Sequence, residues 1–218
     1  MSKIRHDICV SIGNIGFEEI KELLPKLSVA EIRIDLLSLN EEEIKQCFAL
    51  HKNLIATYRP KSNEYDLMKN ILNKAIEWGA AMVDVDIDTP AEVISEIAVK
   101  AKHHNCKLIV SYHNFDGTPT LSTLKNLIEK TKLHHADYTK IACMANSPSD
   151  CSRILSLYEK HSNLIAFCMG QVGTVTRIAS PLLGAPFSYA SLQGNQTAPG
   201  QLDYINMNNL LNIINPID

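Results

Sequence analysis

Short apolar runs alternate with longer segments of helical periodicity along the whole chain. Runs of this kind are typical of buried strands, and a helix between two strands joins them in parallel through a right-handed crossover. Eight such units in 218 residues predict an α/β protein, a single-domain (β/α)8 TIM barrel over 1–218. The strands are predicted at roughly 7–12, 29–35, 53–58, 82–87, 107–112, 137–142, 163–169 and 186–190.

An open, doubly wound sheet would show the same alternation, and only the number of strands favours a closed barrel. The glycines after the first strand do not have the spacing of a dinucleotide-binding turn, because the segment reads Ser11-Ile-Gly13-Asn-Ile-Gly16. No Ser/Gly-rich linker or low-complexity stretch divides the chain. The pattern therefore predicts one domain without a bound dinucleotide.

Three hydroxyl–proline pairs predict helix starts, because the hydroxyl can cap a free N–H group and proline suits the first helical position. They are Thr89-Pro90, Thr118-Pro119 and Ser147-Pro148.

The net charge and the cysteine pattern of the chain limit the binding partners and the cellular location that we expect for it. Lys and Arg total 21 against 24 Asp and Glu, a net charge of -3, which argues against a nucleic-acid binder. No apolar run approaches the roughly 20 residues that span a bilayer. The six cysteines form no CxxC pair, and the segment 1–7 has no signal-peptide core. We expect a cytoplasmic protein with reduced thiols and without nucleic-acid or membrane partners.

Polar residues, most of them ionisable, gather in or just after the predicted strands, where the catalytic residues of parallel barrels lie. On the second strand they recur at period two, so they share one face. Burial of unpaired charges is costly, so these residues must pair with each other or serve a function. The set is Glu31, Arg33, Asp35, Arg59, Asp84, Asp86, Asp88, His113, Asn114, Lys140 and Arg177.

Structural interpretations compete for most of these residues. Glu31 and Arg33 could form a structural ion pair, the fourth-strand aspartates could form a polar layer in the barrel, and His113 could be a core histidine. Lys140 is harder to explain in this way. It stands between Thr139 and Ile141 in a central strand, with no obvious route to solvent.

The combination of Lys140 and His113 predicts imine chemistry. A desolvated lysine among cations has a depressed pKa, and its neutral amine can attack a ketone. The iminium withdraws electrons, so a histidine can remove a proton from the adjacent carbon and return it to a departing hydroxyl. This elimination of water needs no metal or organic cofactor. Arg33, Arg59 and Arg177 would provide cations for an anionic substrate.

Seven motifs, in order along nearly the whole chain, resemble those of the type I 3-dehydroquinate dehydratase family. They are Glu31-Ile-Arg33-Ile-Asp35, Thr57-Tyr-Arg59, Asp84-Val-Asp86, Ser111-Tyr-His113-Asn-Phe115, Lys140-Ile-Ala, Met169-Gly170-Gln-Val-Gly173-Thr-Val-Thr-Arg177 and Ala198-Pro-Gly-Gln201. The resemblance implies a (β/α)8 barrel, usually a homodimer. It also implies syn elimination of water from 3-dehydroquinate through a lysine Schiff base, in the shikimate pathway to aromatic amino acids.

The resemblance also implies a role for each matching residue. Lys140 forms the imine, His113 is the general acid and base, Glu31 holds His113 or substrate hydroxyls, and Arg177 binds the substrate carboxylate. Arg33, Arg59 and Gln201 match residues that contact substrate hydroxyls or carboxylate. Met169 and Tyr189 match the apolar wall of the pocket. Thr197 stands where the family often has serine.

Some positions depart from the family pattern. The family commonly has Glu-Gly-Gly a few residues after the third-strand arginine, whereas this chain reads Arg59-Pro-Lys-Ser-Asn-Glu64, so Glu64 need not match that glutamate. Asp86 occupies a position where glutamate is common. Thr176-Arg177 replaces Ser-Arg. The chain begins almost at the first strand, so the N-terminal hairpin of longer members is expected to be absent.

Two other functions fit parts of the pattern. Another Schiff-base lyase on the same fold, such as an aldolase, also needs a lysine on a barrel strand. A non-catalytic barrel that binds a ligand without turnover is the second alternative, although it would be expected to have lost the lysine or the histidine.

Overall fold

The structure is a computed structural model and describes residues 7–214. Eight strands alternate with eight α-helices through this range. The strands are β1 (Asp7–Ile12), β2 (Val29–Arg33), β3 (Leu54–Thr57), β4 (Met82–Asp86), β5 (Lys107–Asn114), β6 (Tyr138–Met144), β7 (Leu164–Met169) and β8 (Phe187–Ser191).

The helices follow the strands in strict alternation. They are α1 (Phe17–Leu23), α2 (Glu41–Leu50), α3 (Tyr65–Glu77), α4 (Ala91–His103), α5 (Leu121–Leu133), α6 (Pro148–Leu155), α7 (Gly170–Leu182) and α8 (Tyr204–Ile214). Between positions 7 and 214, none of them combines the length and the apolar character needed to cross a bilayer.

The eight strands form one parallel sheet in the order β7-β6-β5-β4-β3-β2-β1-β8. The first and last strands of the chain pair with each other, so the sheet curls into a nearly closed barrel. Inside it, the rings of Phe167 on β7 and Tyr189 on β8 approach to 5.8 Å between centroids. The predicted (β/α)8 barrel is confirmed. The predicted domain bounds, the signal-peptide reading and the expected absence of an N-terminal hairpin involve residues outside the described range and stay predictions.

Three strands end two residues away from the predicted position, and one of them is β6, which continues to Met144. β2 stops at Arg33, because Ile34–Leu36 form a turn of 3₁₀ helix, and Asp35 therefore leaves the strand face that it was predicted to share. β5 continues to Asn114, which carries His113 on the strand itself.

Only one of the three predicted helix caps is confirmed. Ser147 forms a capping box at the start of α6, with proline at the first helical position. The N-cap of α4 is Pro90 rather than Thr89. α5 begins two residues late with Thr120 as its cap, because the Thr118 hydroxyl instead donates to the Met144 carbonyl at 2.7 Å.

Apolar side chains lie in separate layers on the two sides of the sheet. Inside the barrel, a cluster made of strand residues alone includes Ile55, Ile109 and Phe187. Outside, the alternate strand residues pack against the helices, as Val83 and Leu72 do in the largest cluster. Since both faces are buried, the strands read as continuous apolar runs.

A close approach between α7 and β7 positions the end of the barrel near Arg177. A Cβ atom added to Gly173 would lie 2.7 Å from the backbone carbon of Cys168, so only glycine fits this turn. Thr176 strengthens the same contact, because its hydroxyl accepts from the Cys168 N–H at 2.7 Å. The hydroxyl of Thr176 thus ties the helix to the strand.

We predict that Gly173→Ala lowers the free energy of unfolding by about 1–3 kcal/mol, the usual effect of overpacking. In an unconstrained helix, the change from glycine to alanine raises the free energy of unfolding by about 0.5–1 kcal/mol. The sign of the measured change therefore shows whether the close contact is present. Urea denaturation measures it. Gly16→Ala is the matched control, because an added Cβ there has no atom within 4 Å, and a change below about 1 kcal/mol is expected. A Gly173→Ala protein as stable as the wild type would contradict this packing.

Candidate active site

A cavity of about 320 Å³ opens at the carboxyl ends of the strands. All ten residues predicted from the sequence to form the site line it, because parallel strands bring their carboxyl ends to one face of the barrel. They are Glu31, Arg33, Arg59, His113, Lys140, Met169, Arg177, Tyr189, Thr197 and Gln201. Seven further residues complete the lining, namely Ser11, Thr57, Asp86, Phe115, Ala142, Phe167 and Ala198.

Lys140 rises from the middle of β6 and is 5% exposed. Its Nζ atom lies 2.9 Å from Oδ2 of Asp84 and 3.5 Å from Oε1 of Glu31. The ring of Tyr189 covers another side, with its centroid 4.1 Å from Nζ. The expectation that cations surround this lysine is wrong, since the charged groups in contact with Nζ are two carboxylates.

Asp84 on β4 connects the buried charges. It is fully buried and accepts hydrogen bonds from Arg59 at 2.5 Å, from the Ser111 hydroxyl at 2.6 Å and from Lys140. Burial alone would raise the pKa of Asp84, but the charges of Arg59, Lys140 and His113 outweigh it and hold the pKa well below its usual value. Asp84 is therefore an anion at neutral pH.

Glu31 on β2 is the second carboxylate beside Lys140. It accepts from the Ser11 hydroxyl at 2.6 Å and from the Thr57 hydroxyl at 2.9 Å. Burial raises its pKa, yet Lys140 and Arg33 lower it further than burial raises it. The structure places Glu31 against the lysine, and no hydrogen bond joins it to His113 in the described part of the chain.

His113, near the end of β5, is bonded to a different carboxylate. Its Nδ1 atom lies 3.0 Å from Oδ2 of Asp86, and the ring of Phe115 stacks beside it with centroids 6.5 Å apart. Burial, followed by the charges of Arg59 and Lys140, lowers the pKa of His113 below 6.5, although Asp86 opposes that shift. His113 is thus mostly neutral at pH 7 and can act as a base.

The three arginines of the cavity differ in their partners. Arg33 is held by Asp35 through two bonds of 3.0 and 2.7 Å, which excludes the structural Glu31–Arg33 pair, and Arg59 is held by Asp84. Arg177 has no carboxylate within ion-pair distance in the range 7–214.

Arg177 is fully buried and poorly satisfied. Its two terminal nitrogens donate long hydrogen bonds to the carbonyls of Tyr189 and Pro199, at 3.5 and 3.4 Å. Its Nε atom has no partner among the described residues. The guanidinium carbon lies 4.3 Å from the centroid of the Phe167 ring. Burial lowers its pKa to about 10, so it stays a cation at pH 7. A buried cation without an anion is costly, and this one faces a cavity.

The loop after β8 closes over the arginine. The side-chain oxygen of Gln201 accepts from the Thr197 and Ala198 N–H groups at 2.9 and 3.1 Å, and also from the Thr197 hydroxyl. Gly200 has a φ of +69°, and a Cβ there would lie 2.4 Å from the Gly170 carbonyl oxygen. The side-chain oxygen of Gln201 thus folds the loop.

Glu64 lies outside the cavity. It is exposed at the N-terminus of α3, and it is absent from the cavity lining within the described range. Asp84 and Asp86 are the functional candidates that sequence reasoning did not select. Their period-two spacing on β4 was the available signal, and it was equally compatible with an inert polar layer.

No group of three or more His, Cys, Asp or Glu side chains in residues 7–214 has the arrangement of a metal site. Arg177, a buried cation, and the amine of Lys140 both line the cavity, an arrangement that fits an anionic organic molecule.

Comparisons with known proteins match this geometry. The sequence model of type I 3-dehydroquinase matches residues 8–218. The chain is 34% identical over 220 residues to a 3-dehydroquinate dehydratase of Dehalococcoides mccartyi, covering 95% of this chain and 96% of the relative. The corresponding protein of Methanocaldococcus jannaschii is 34% identical over 213 residues, covering 90% and 93%.

Solved structures agree on the fold. A type I 3-dehydroquinate dehydratase from Clostridium difficile superposes with a TM-score of 0.85 at 22% identity, covering all of this chain and 95% of the other. The 3-dehydroquinate dehydratase of Geobacillus kaustophilus gives 0.85 at 23% identity, covering 96% and 91%. With its barrel, its cavity and a family match over nearly its full length, this chain belongs to the type I 3-dehydroquinase family.

Proposed function

We propose that this chain dehydrates 3-dehydroquinate to 3-dehydroshikimate and that Lys140 carries the substrate as an iminium. The observation that supports the proposal most is the position of Lys140, a buried amine that lines a cavity together with His113 and with Arg177, which has no carboxylate partner in the range 7–214. Family membership supports the substrate and the reaction type. The assignment of individual residues rests on their distances and charges.

The substrate carboxylate is assigned to Arg177. The guanidinium is a cation at pH 7, it faces the cavity, and the described chain offers it no anion. A carboxylate can accept two parallel hydrogen bonds from such a group. Its arrival removes the cost of an unpaired buried charge, so substrate binding satisfies a group that the empty protein leaves unsatisfied.

Imine formation is assigned to Lys140. A proton must leave Nζ before the amine attacks, and the carboxylates of Asp84 and Glu31 face it at 2.9 and 3.5 Å. The ketone oxygen then leaves as water, and a C=N bond replaces the C=O bond. The iminium carries the same positive charge as the ammonium group. The two carboxylates can therefore stabilise it in the same position.

Elimination is assigned to His113. The iminium makes a proton on the adjacent carbon acidic, and neutral His113 removes it to give an enamine. Electrons of the enamine expel the hydroxyl at the next carbon, which takes the proton back from His113 and leaves as water. Hydrolysis of the conjugated iminium then releases the enone and restores Lys140.

We also infer a homodimer in the cytoplasm. The neighbouring helices α7 and α8 expose large apolar side chains, among them Val175 at 56% and Ile213 at 76% exposure, and such groups favour contact with another chain. All six cysteines are free thiols and all are buried, as expected of a protein from a reducing compartment.

We predict that borohydride with 3-dehydroquinate adds one reduced substrate to the wild-type chain, on the peptide that contains Lys140. Lys140→Met should take up none. Lys107→Met is the matched control, because Lys107 begins β5 at the opposite, exposed end of the barrel. Mass spectrometry reads the label. A label on another lysine, or an unlabelled wild type, would contradict the assignment.

We predict that His113→Ala still forms the trapped imine but loses turnover by about 10²–10⁴-fold, the usual contribution of general acid–base catalysis. His104→Ala, which removes an exposed imidazole from the end of α4, should keep full turnover. Steady-state kinetics and trapping are measured on the same preparations. If His113→Ala turns over at the wild-type rate, another group is the base.

We predict that Arg177→Met raises KM by about 10–100-fold, since a hydrogen bond to a charged group contributes about 1.5–3 kcal/mol. The same change should leave the empty protein at least as stable, because it removes an unpaired buried cation. Arg153→Met, which breaks an ion pair with Asp150 on α6 away from the cavity lining, should keep the wild-type KM. An unchanged KM in Arg177→Met would rule out the carboxylate role.

A further inference from the structure

We propose that Asp86 is the positioning residue of His113, which fixes the orientation of the imidazole and directs its Nε2 atom to the proton that is transferred. The inference rests on the proposed function, since it takes His113 as the base. It assigns to a residue of β4 the task that the resemblance suggested for Glu31, and it leaves Glu64 without a part in the reaction.

The geometry of Asp86 suits this task. One carboxylate oxygen lies 3.0 Å from Nδ1 of His113, and the other accepts the backbone N–H of Asp88, also at 3.0 Å. β4 and β5 are neighbours in the sheet, with Asp86 opposite Ser111, so the two side chains rise from adjacent strands. The carboxylate is thus fixed at both oxygens, and it fixes the ring in turn.

The carboxylate also selects the tautomer. Burial raises the pKa of Asp86, but the hydrogen bond with His113 and the charge of Arg59 outweigh it and keep the pKa below its usual value. An ionised carboxylate can only accept, so Nδ1 must carry the proton of neutral His113. The free lone pair then resides on Nε2, which has no hydrogen-bond partner in the described chain although His113 lines the cavity.

Four charged groups surround His113 and determine when it is protonated. Burial lowers its pKa most, and Arg59, two residues after the end of β3, and Lys140 on β6 lower it further, whereas Asp86 and Asp84 on β4 raise it. Loss of the Asp86 charge removes one of the two opposing contributions. The pKa of His113 must then fall further, so the imidazole stays neutral to lower pH.

None of the alternatives to Asp86 among the described residues forms a hydrogen bond with the ring of His113. Glu31 bonds Lys140, Ser11 and Thr57. Glu64 is exposed at the start of α3. Phe115 stacks beside the imidazole and can limit its tilt, but it has no acceptor for Nδ1. Among the described residues, Asp86 is the group bonded to a nitrogen of His113.

The test compares Asp86→Asn with the wild type, with Asp86→Glu, and with two controls. An amide can donate as well as accept, so Asp86→Asn permits the wrong tautomer with the proton on Nε2. We expect kcat to fall by about 10²-fold, with KM and the extent of borohydride trapping retained. The acidic limb of the kcat/KM profile should move to lower pH. Asp86→Glu, which keeps the carboxylate, should recover most of kcat.

Asp88→Asn makes the same chemical change two residues away on an exposed side chain, and it should keep the wild-type kcat and pH profile. Glu64→Gln should do the same. Wild-type kcat and an unshifted acidic limb in Asp86→Asn would overturn the inference, as would a loss that appears in Glu64→Gln instead. Failure of the wild type itself to dehydrate 3-dehydroquinate would overturn the proposed function, a result that is distinct from either.

Discussion

Burial of the Lys140 ammonium group is the constraint on which the polar interior of this barrel depends. Taking a cation out of water is costly unless anions and hydrogen bonds replace the solvent. Asp84 and Glu31 provide the anions at 2.9 and 3.5 Å, and these carboxylates in turn require Arg59 and a set of hydroxyl donors. Burial alone would raise the pKa of both carboxylates, but the neighbouring positive charges hold it below its usual value, so Asp84 and Glu31 stay ionised. The result is a preorganised environment for a positive nitrogen, whether ammonium or iminium.

Arg177, the other buried cation of the cavity lining, has different partners from Lys140. Arg177 is held by backbone carbonyls at long distance and by the face of Phe167, and no carboxylate of residues 7–214 compensates its charge. The cavity thus contains one cation with carboxylate partners, to which we assign the chemistry, and one cation without such partners among residues 7–214, to which we assign binding. Groups left in this state usually mark the places where function takes precedence over stability. A substrate with a carboxylate at one end and a ketone at the other can satisfy both sides at once.

Sequence patterns were sufficient for the architecture and for ten of the residues that line the site, but not for Asp84 and Asp86. The eight strands could be predicted because both faces of each are buried, and the ten predicted residues meet in one cavity because parallel strands end on one face. Partner choice could not be predicted. Which carboxylate reaches Lys140, and which holds His113, depends on register and tilt between strands that are distant in sequence. Asp35 bonds Arg33 only because β2 ends in a 3₁₀ turn, which the period-two pattern does not reveal.

The central claim is that the buried amine of Lys140 activates the ketone by forming an imine with it. The most direct measurement follows the ultraviolet absorbance of the conjugated enone after 3-dehydroquinate is added to the purified protein, with Lys140→Met run beside it. The account predicts a steady rise with the wild type and a flat trace with the variant. A flat trace with the folded wild type, or an equal rise with Lys140→Met, would contradict it.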